Sequence, residues 1–160
     1  MTISRAPIAT NEPISRGLED ALKMENTSLE KLNMILPEVT DPEMRKKLVQ
    51  HVEETKEQVQ RISSRLQALG IQTTTEKAQA PPITFPRAPN ATSEMKLRDD
   101  IKNVYAWKNF EIAHYEFLKN QSKLAGDDAT KKIAEQNQKE EKKFAKDIQN
   151  LIPKMVERRL

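Results

Sequence analysis

Apolar residues recur at steps of three and four along four stretches of the chain, the spacing of a helix face buried against other helices. The first seam reads Leu18, Leu22, Glu25, Leu29, Leu32 and Leu36. The second reads Leu48, Val52, Thr55, Val59, Ile62, Leu66 and Leu69. The third is Ile101, Val104, Lys108, Glu111, Tyr115 and Leu118, and the fourth Ile133, Asn137, Glu140, Phe144, Ile148 and Leu151. Charged residues stand inside these seams: Glu25, Lys108 with Glu111, and Glu140. Burying any of them alone costs several kcal/mol, so each needs a counter-charge, a metal or water.

Start and stop signals bound the seams. Residues 1–14 hold Pro7 and Pro13 without periodicity and read as a flexible arm. The first helix is expected over 15–36, with Ser15 as N-cap and Pro37 as its stop. Thr40-Asp41-Pro42-Glu43 combines a capping-box spacing with proline in the first turn, and opens a second helix over 42–69. Gly70 and Gly126 fit the C′ positions of the second and third helices, and Asp127 fits the N-cap of the fourth. The last two helices are expected over 94–124 and 128–156. Residues 71–93, with Pro81, Pro82, Pro86 and Pro89, cannot form a regular helix. Extended, such a segment reaches roughly 70 Å, and helices of these lengths span roughly 40–45 Å. It is therefore expected to run the length of a bundle and join two antiparallel hairpins. The pattern predicts an all-α, four-helix bundle of ferritin-like connectivity over 15–158.

Composition narrows the function. Charged residues make up 32% and hydrophobic ones 36%, a balance that suits long amphipathic helices in one domain. The absence of cysteine excludes disulfides, thiolate catalysis and zinc-finger sites. No apolar run approaches a membrane span, and no signal-peptide core appears near Met1, so a cytoplasmic location is expected. A net charge of +3, with basic pairs scattered among acids, is too diffuse for a nucleic-acid footprint, and no such partner is expected. Trp107 and Phe117 lie off the main seam. They either widen the core face of the third helix or form an apolar strip for a homodimer, the expected assembly.

The seam charges fall at matching heights. Glu25 lies about three turns before the first hairpin turn and Glu54 about three turns after it. Glu111 and Glu140 bracket the second hairpin turn in the same way. The two histidines of the chain each stand three residues from one of these acids, as His51-x-x-Glu54 and Glu111-x-x-His114. Residues at that spacing share a helix face and can hold one ion. Four carboxylates and two imidazoles make the donor set of a dinuclear iron or manganese centre. The competing reading is that Lys108, one turn from Glu111, supplies the positive charge itself.

The residues Leu18-Glu19-Asp20-Ala21-Leu22-Lys23-Met24-Glu25, His51-Val52-Glu53-Glu54-Thr55 with Gln58-Val59, Phe110-Glu111-Ile112-Ala113 with Tyr115, and Glu140-Glu141-Lys142 resemble the YciE/YciF family of ferritin-like stress proteins. The resemblance covers roughly residues 15–156. It implies a ferritin-like fold with a dinuclear metal centre, for which Glu25, His51, Glu54, Glu111 and one of Glu140 and Glu141 match inward positions of the family; the seam favours Glu140. The chain departs from the family in its third helix. The family has an acid and a histidine just before the aromatic, and Lys108 and Asn109 stand there in this chain. His114 then offers a substitute imidazole. Two functions follow as expectations. One is a carboxylate-bridged Fe or Mn protein acting on peroxide or oxygen. The other is a metal-free stress or protein-interaction module in which Lys108 pairs with the inward glutamates.

Overall fold

The computed structural model describes residues 12–78 and 90–158. Four helices form in the order α1 (Glu12–Ile35), α2 (Pro42–Ala68), α3 (Ser93–Ala125) and α4 (Asp128–Glu157), with a 3₁₀ turn at Leu36–Glu38 after α1. Among the described residues there is no strand, and no helix is long and apolar enough to cross a membrane. Three N-caps have a visible cause: the side chains of Asp41, Thr92 and Asp127 accept from the backbone N–H of Met44, Met95 and Thr130. α1 starts earlier than Ser15, because Pro13 is tolerated in a first turn and Ile14 gains burial. The remainder of the expected arm, residues 1–11, lies outside the described residues.

Both stops depend on glycine. Gly70 and Gly126 take left-handed φ values of 75° and 71°. Their N–H groups donate to the carbonyls of Gln67 and Lys123, and those of the following residues to Leu66 and Ser122. This double bond is the Schellman motif, which satisfies carbonyls that a helix end leaves unpaired.

α1 packs on α2 and α3, and α4 on α2 and α3. One apolar cluster joins Leu32, Ile35 and Met44 near the α1–α2 turn to Leu97 and Ile101 at the start of α3 and Met155 at the end of α4. The other joins Ile14, Leu18 and Leu66 to Leu118 and Ala134 at the opposite end. α3 thus starts at the end of the bundle where α2 begins, so the connection after α2 traverses its length. Its described part, 71–78, is non-helical and lies along α1. Asn26 Nδ2 donates to the carbonyls of Thr74 and Glu76, and the Ala78 N–H donates to Thr27 Oγ1 at 2.9 Å. Residues 79–89 of the expected crossover lie outside the described residues.

An unbroken run of buried positions spaced by three and four lies on three helices: Ile14, Leu18, Ala21, Glu25, Ser28, Leu32 and Ile35 on α1; Leu97, Ile101, Val104, Lys108, Glu111, Tyr115, Leu118 and Ser122 on α3; Ala134, Asn137, Glu141, Phe144, Ile148, Leu151 and Met155 on α4; Leu22, Met24, Thr27, Trp107, Gln138 and Ala145 are buried beside it. That is the seam of a coiled-coil-like bundle. Trp107, 2% exposed, widens the core face of α3, whereas Phe117 is 72% exposed.

Candidate functional site: a lysine among buried carboxylates

Between the two apolar clusters the seams turn polar together. Glu25, Ser28, His51, Thr55, Lys108, Glu111, Tyr115, Asn137 and Glu141 are all buried there. The Lys108 ammonium is at the centre. Its Nζ donates to Ser28 Oγ at 2.6 Å and Glu111 Oε2 at 2.8 Å, and stands 3.0 Å from Glu141 Oε2. Carboxylate oxygens of Glu25, Glu111 and Glu141 lie within 4.8 Å of one another. Glu25 is held from the far side: Tyr115 donates its hydroxyl to Glu25 Oε1 at 2.6 Å, and Asn137 Nδ2 donates to the same hydroxyl.

His51 links this layer to the surface. Its ring stacks on Phe144 with centroids 3.8 Å apart. Nδ1 donates to Glu54 Oε2 at 3.1 Å, and Nε2 faces Glu141 Oε2 at 3.3 Å. Glu54 lies on the rim with its side chain 22% exposed.

Three acids around one ammonium cannot all ionise cheaply. Burial, then the charge of Glu141, pushes the Glu25 carboxyl up to about 8, against the pull of Lys108 and the Tyr115 hydroxyl. Burial and the charges of Glu141 and Glu25 raise Glu111 well above the carboxylate range. Burial also works to raise Glu141, but the ammonium and His51 outweigh it and hold Glu141 below its ordinary value. Burial alone would depress Lys108; Glu111, Glu141 and Glu25 reverse this and raise it. The layer is therefore a Lys108–Glu141 ion pair flanked by two acids, Glu25 and Glu111, that hold their protons more tightly than ordinary carboxyls. Nearer the surface, the hydrogen bond from His51 lowers Glu54.

The expected site residues separate into two groups. Glu25, His51, Glu111 and Glu141 converge, with Glu54 behind His51. Glu140 does not take the inward position that the seam assigns to it; Glu141 does. Glu140 instead bonds Arg61 Nη1 at 2.7 Å, at the bundle edge. The reason is the phase of α4, whose seam runs through Ala134 and Glu141 where Ile133 and Glu140 were expected. His114 is turned away, with Nε2 on the Gly17 carbonyl at 2.8 Å. Ser28 and Asn137 complete the layer, and sequence reasoning gives Ser28 no role. The alternating seam is the signal that finds it.

This donor set does not fit a pair of metal ions. Ions in two-metal sites stand about 3.5–4 Å apart, and a second ion here meets the ammonium. A divalent ion and a unit positive charge 4 Å apart repel by on the order of 8 kcal/mol at an effective dielectric of about 20. Of the other expected ligands, His114 is engaged with the Gly17 carbonyl, and Glu54 stands on the rim behind His51, bonded to its Nδ1.

Comparison with known proteins gives the family. Residues 11–160 match the family model described as Domain of unknown function (DUF892). No curated protein matches the sequence. A solved protein from Xanthomonas campestris is 22% identical and superposes with a TM-score of 0.79, covering 94% of this chain and 95% of that one. The Escherichia coli stress protein YciF is 15% identical with a TM-score of 0.74, covering 94% and 99%. Ferritin-like, diiron-carboxylate proteins from Bacillus anthracis are 15% identical with a TM-score of 0.73, covering 91% and 99%. The chain belongs to the DUF892 family, and its fold is the ferritin-like bundle of the YciE/YciF group.

Proposed function

We propose that this protein is a metal-free, stress-associated member of its family, a protein-interaction module whose buried polar layer fixes helix register in a bundle like that of diiron-carboxylate proteins. The observation that carries this reading is the Lys108 ammonium, fully buried and 2.8 and 3.0 Å from Glu111 and Glu141. A single buried polar group can specify the register of packed helices, and this layer touches all four. The similarity to a stress protein supports the association with stress. A homodimer is part of the reading: Phe110, Phe117 and Leu124, exposed at seven-residue spacing on α3, offer an apolar strip to a second copy.

A second reading, a dinuclear Fe or Mn centre acting on peroxide or oxygen, is favoured by one observation. Glu25 Oε2 has no hydrogen-bond partner, and Glu111 Oε1 and both oxygens of Glu141 have none apart from each other's carboxyl. Elemental analysis of protein expressed in Fe- and Mn-supplemented media separates the two. The metal-free reading expects metal far below one equivalent per chain and no peroxide consumption. Stoichiometric Fe or Mn overturns it. Sedimentation at two protein concentrations tests the dimer.

A further inference from the structure

The ammonium does not engage every oxygen and nitrogen of the layer. Glu25 Oε2 and His51 Nε2 have no hydrogen-bond partner, and Glu111 Oε1 and the Glu141 oxygens have none apart from each other's carboxyl. Glu141 Oε2 stands 3.0 Å from Lys108 Nζ and 3.3 Å from His51 Nε2 without hydrogen-bond alignment. His51 is 1% exposed and its Nε2 points at the acids. Glu54 holds Nδ1 from behind and leaves Nε2 as the ring nitrogen that faces the acids; a carboxylate behind a histidine in this way is what orients metal-binding imidazoles. Phe144, stacked on the ring, holds its plane. Three carboxylates and one imidazole suit a single divalent ion of the Mn, Fe, Co or Zn kind. Donors for a second ion are missing, as shown above.

We infer that the layer is a one-ion site for a divalent cation and that Lys108 is its built-in competitor: the ammonium and one divalent ion are alternative occupants of the same acids. This rests on the metal-free reading and deepens it, because it says what excludes the metal and how many ions the acids hold without it. The competition is local. Nζ draws Glu111 Oε2 and Glu141 Oε2 toward itself, and an ion on those acids has to displace it. Methionine keeps an unbranched stem at position 108 without the charge, and glutamine keeps a polar end.

The test uses the full chain and cobalt(II) alone. Wild type, Lys108→Met and Lys108→Gln are titrated and followed by the visible d–d band and by the melting temperature read from Trp107 fluorescence. The two variants are expected to bind one equivalent, with a visible band and a melting temperature that rises with cobalt. Wild type shows neither. Adding Glu54→Gln to Lys108→Met should weaken binding by about tenfold, since it removes the partner that orients His51. If a variant purifies unfolded, its far-UV helix signal is followed instead. Recovery at one equivalent supports the site, and no recovery overturns it. Two equivalents in Lys108→Met, or none in both folded variants, sinks the one-ion site and leaves the metal-free reading standing. One equivalent bound by wild type sinks the metal-free reading, and the competition with it.

Discussion

Raising the pH from about 5.5 to about 8.5 should weaken this fold, against the common expectation of a plateau near neutrality. The cause is Glu25. Its carboxyl moves from an ordinary 4.5 to about 8 on folding, through burial and the neighbouring Glu141 charge. A raised acid keeps its proton in the folded state after the unfolded chain has lost it. The folded chain then binds more protons over that window, so stability falls as pH rises. Moving one carboxyl that far corresponds to roughly 5 kcal/mol, at about 1.4 kcal/mol per decade. Roughly 3 kcal/mol of it is lost above pH 5.5. Glu111, also raised, adds loss in the same direction. Glu141, held low by Lys108 and His51 against its burial, acts oppositely: its contribution is present above 4.5 and disappears as pH falls below that value. The stability maximum is therefore expected near pH 5. Urea unfolding followed by far-UV circular dichroism and Trp107 fluorescence reads it. Glu25→Gln keeps the acceptor for the Tyr115 hydroxyl but cannot titrate, and should flatten the alkaline limb by about one proton. A stability that climbs from pH 5.5 to 8.5, or a Glu25→Gln slope equal to wild type, refutes the assignment of protons to this layer.

Three further outcomes are checkable by the same unfolding assay or by exchange. Glu141→Ala should cost about 3–5 kcal/mol, because it removes one of the two acids on a buried ammonium, whereas Glu140→Ala, at a partly exposed pair with Arg61, should cost about 1 kcal/mol or less; equal costs would contradict the observed phase of α4. Gly126→Ala meets no atom within 4 Å yet must hold a φ of 71°, so a loss of about 1 kcal/mol is expected from backbone strain alone. Asn26→Ala removes both carbonyl contacts to the crossover. Protection of the Ala78 amide in hydrogen exchange should fall while that of the α3 core amides holds.

Much of this architecture is legible in the sequence because its signals are local. A left-handed C′ residue wants glycine, and Gly70 and Gly126 stand there. The third seam is read without error because Ile101, Val104, Lys108, Glu111, Tyr115 and Leu118 offer no rival phase: every position on it is buried. The fourth seam offers a rival. Ile133 is a larger apolar residue than Ala134, and choosing it shifts the phase by one residue, so that Glu140 seems to point inward. Ala134 is fully buried in the cluster with Leu66 and Leu118, a tertiary fact that residue size does not report. The first seam fails in the same way. Leu29 attracts the pattern, yet Ser28 is the residue beneath the ammonium. His114 misleads for a different reason. Three residues from Glu111 is a shared face only within about 60° of arc. With Glu111 at the seam centre, that offset carries His114 to the α1 edge, where the Gly17 carbonyl takes it.

The two misplaced seams share a physical origin. Hydrophobicity marks where helices bury apolar surface, but mid-bundle this protein buries charge, and there the apolar signal reverses. Geometry does not reverse. A bundle seam must alternate three and four whatever its side chains are, since the helices keep facing one another. Strict alternation from Ile14, Leu97 and Ala134 lands on Glu25, Ser28, Lys108, Glu111 and Glu141 without reference to polarity. The polar layer is thus an uninterrupted stretch of the same seams, buried as completely as the leucines on either side. Its cation must then be as fixed as its acids, and a fixed ammonium is what a metal ion would have to displace.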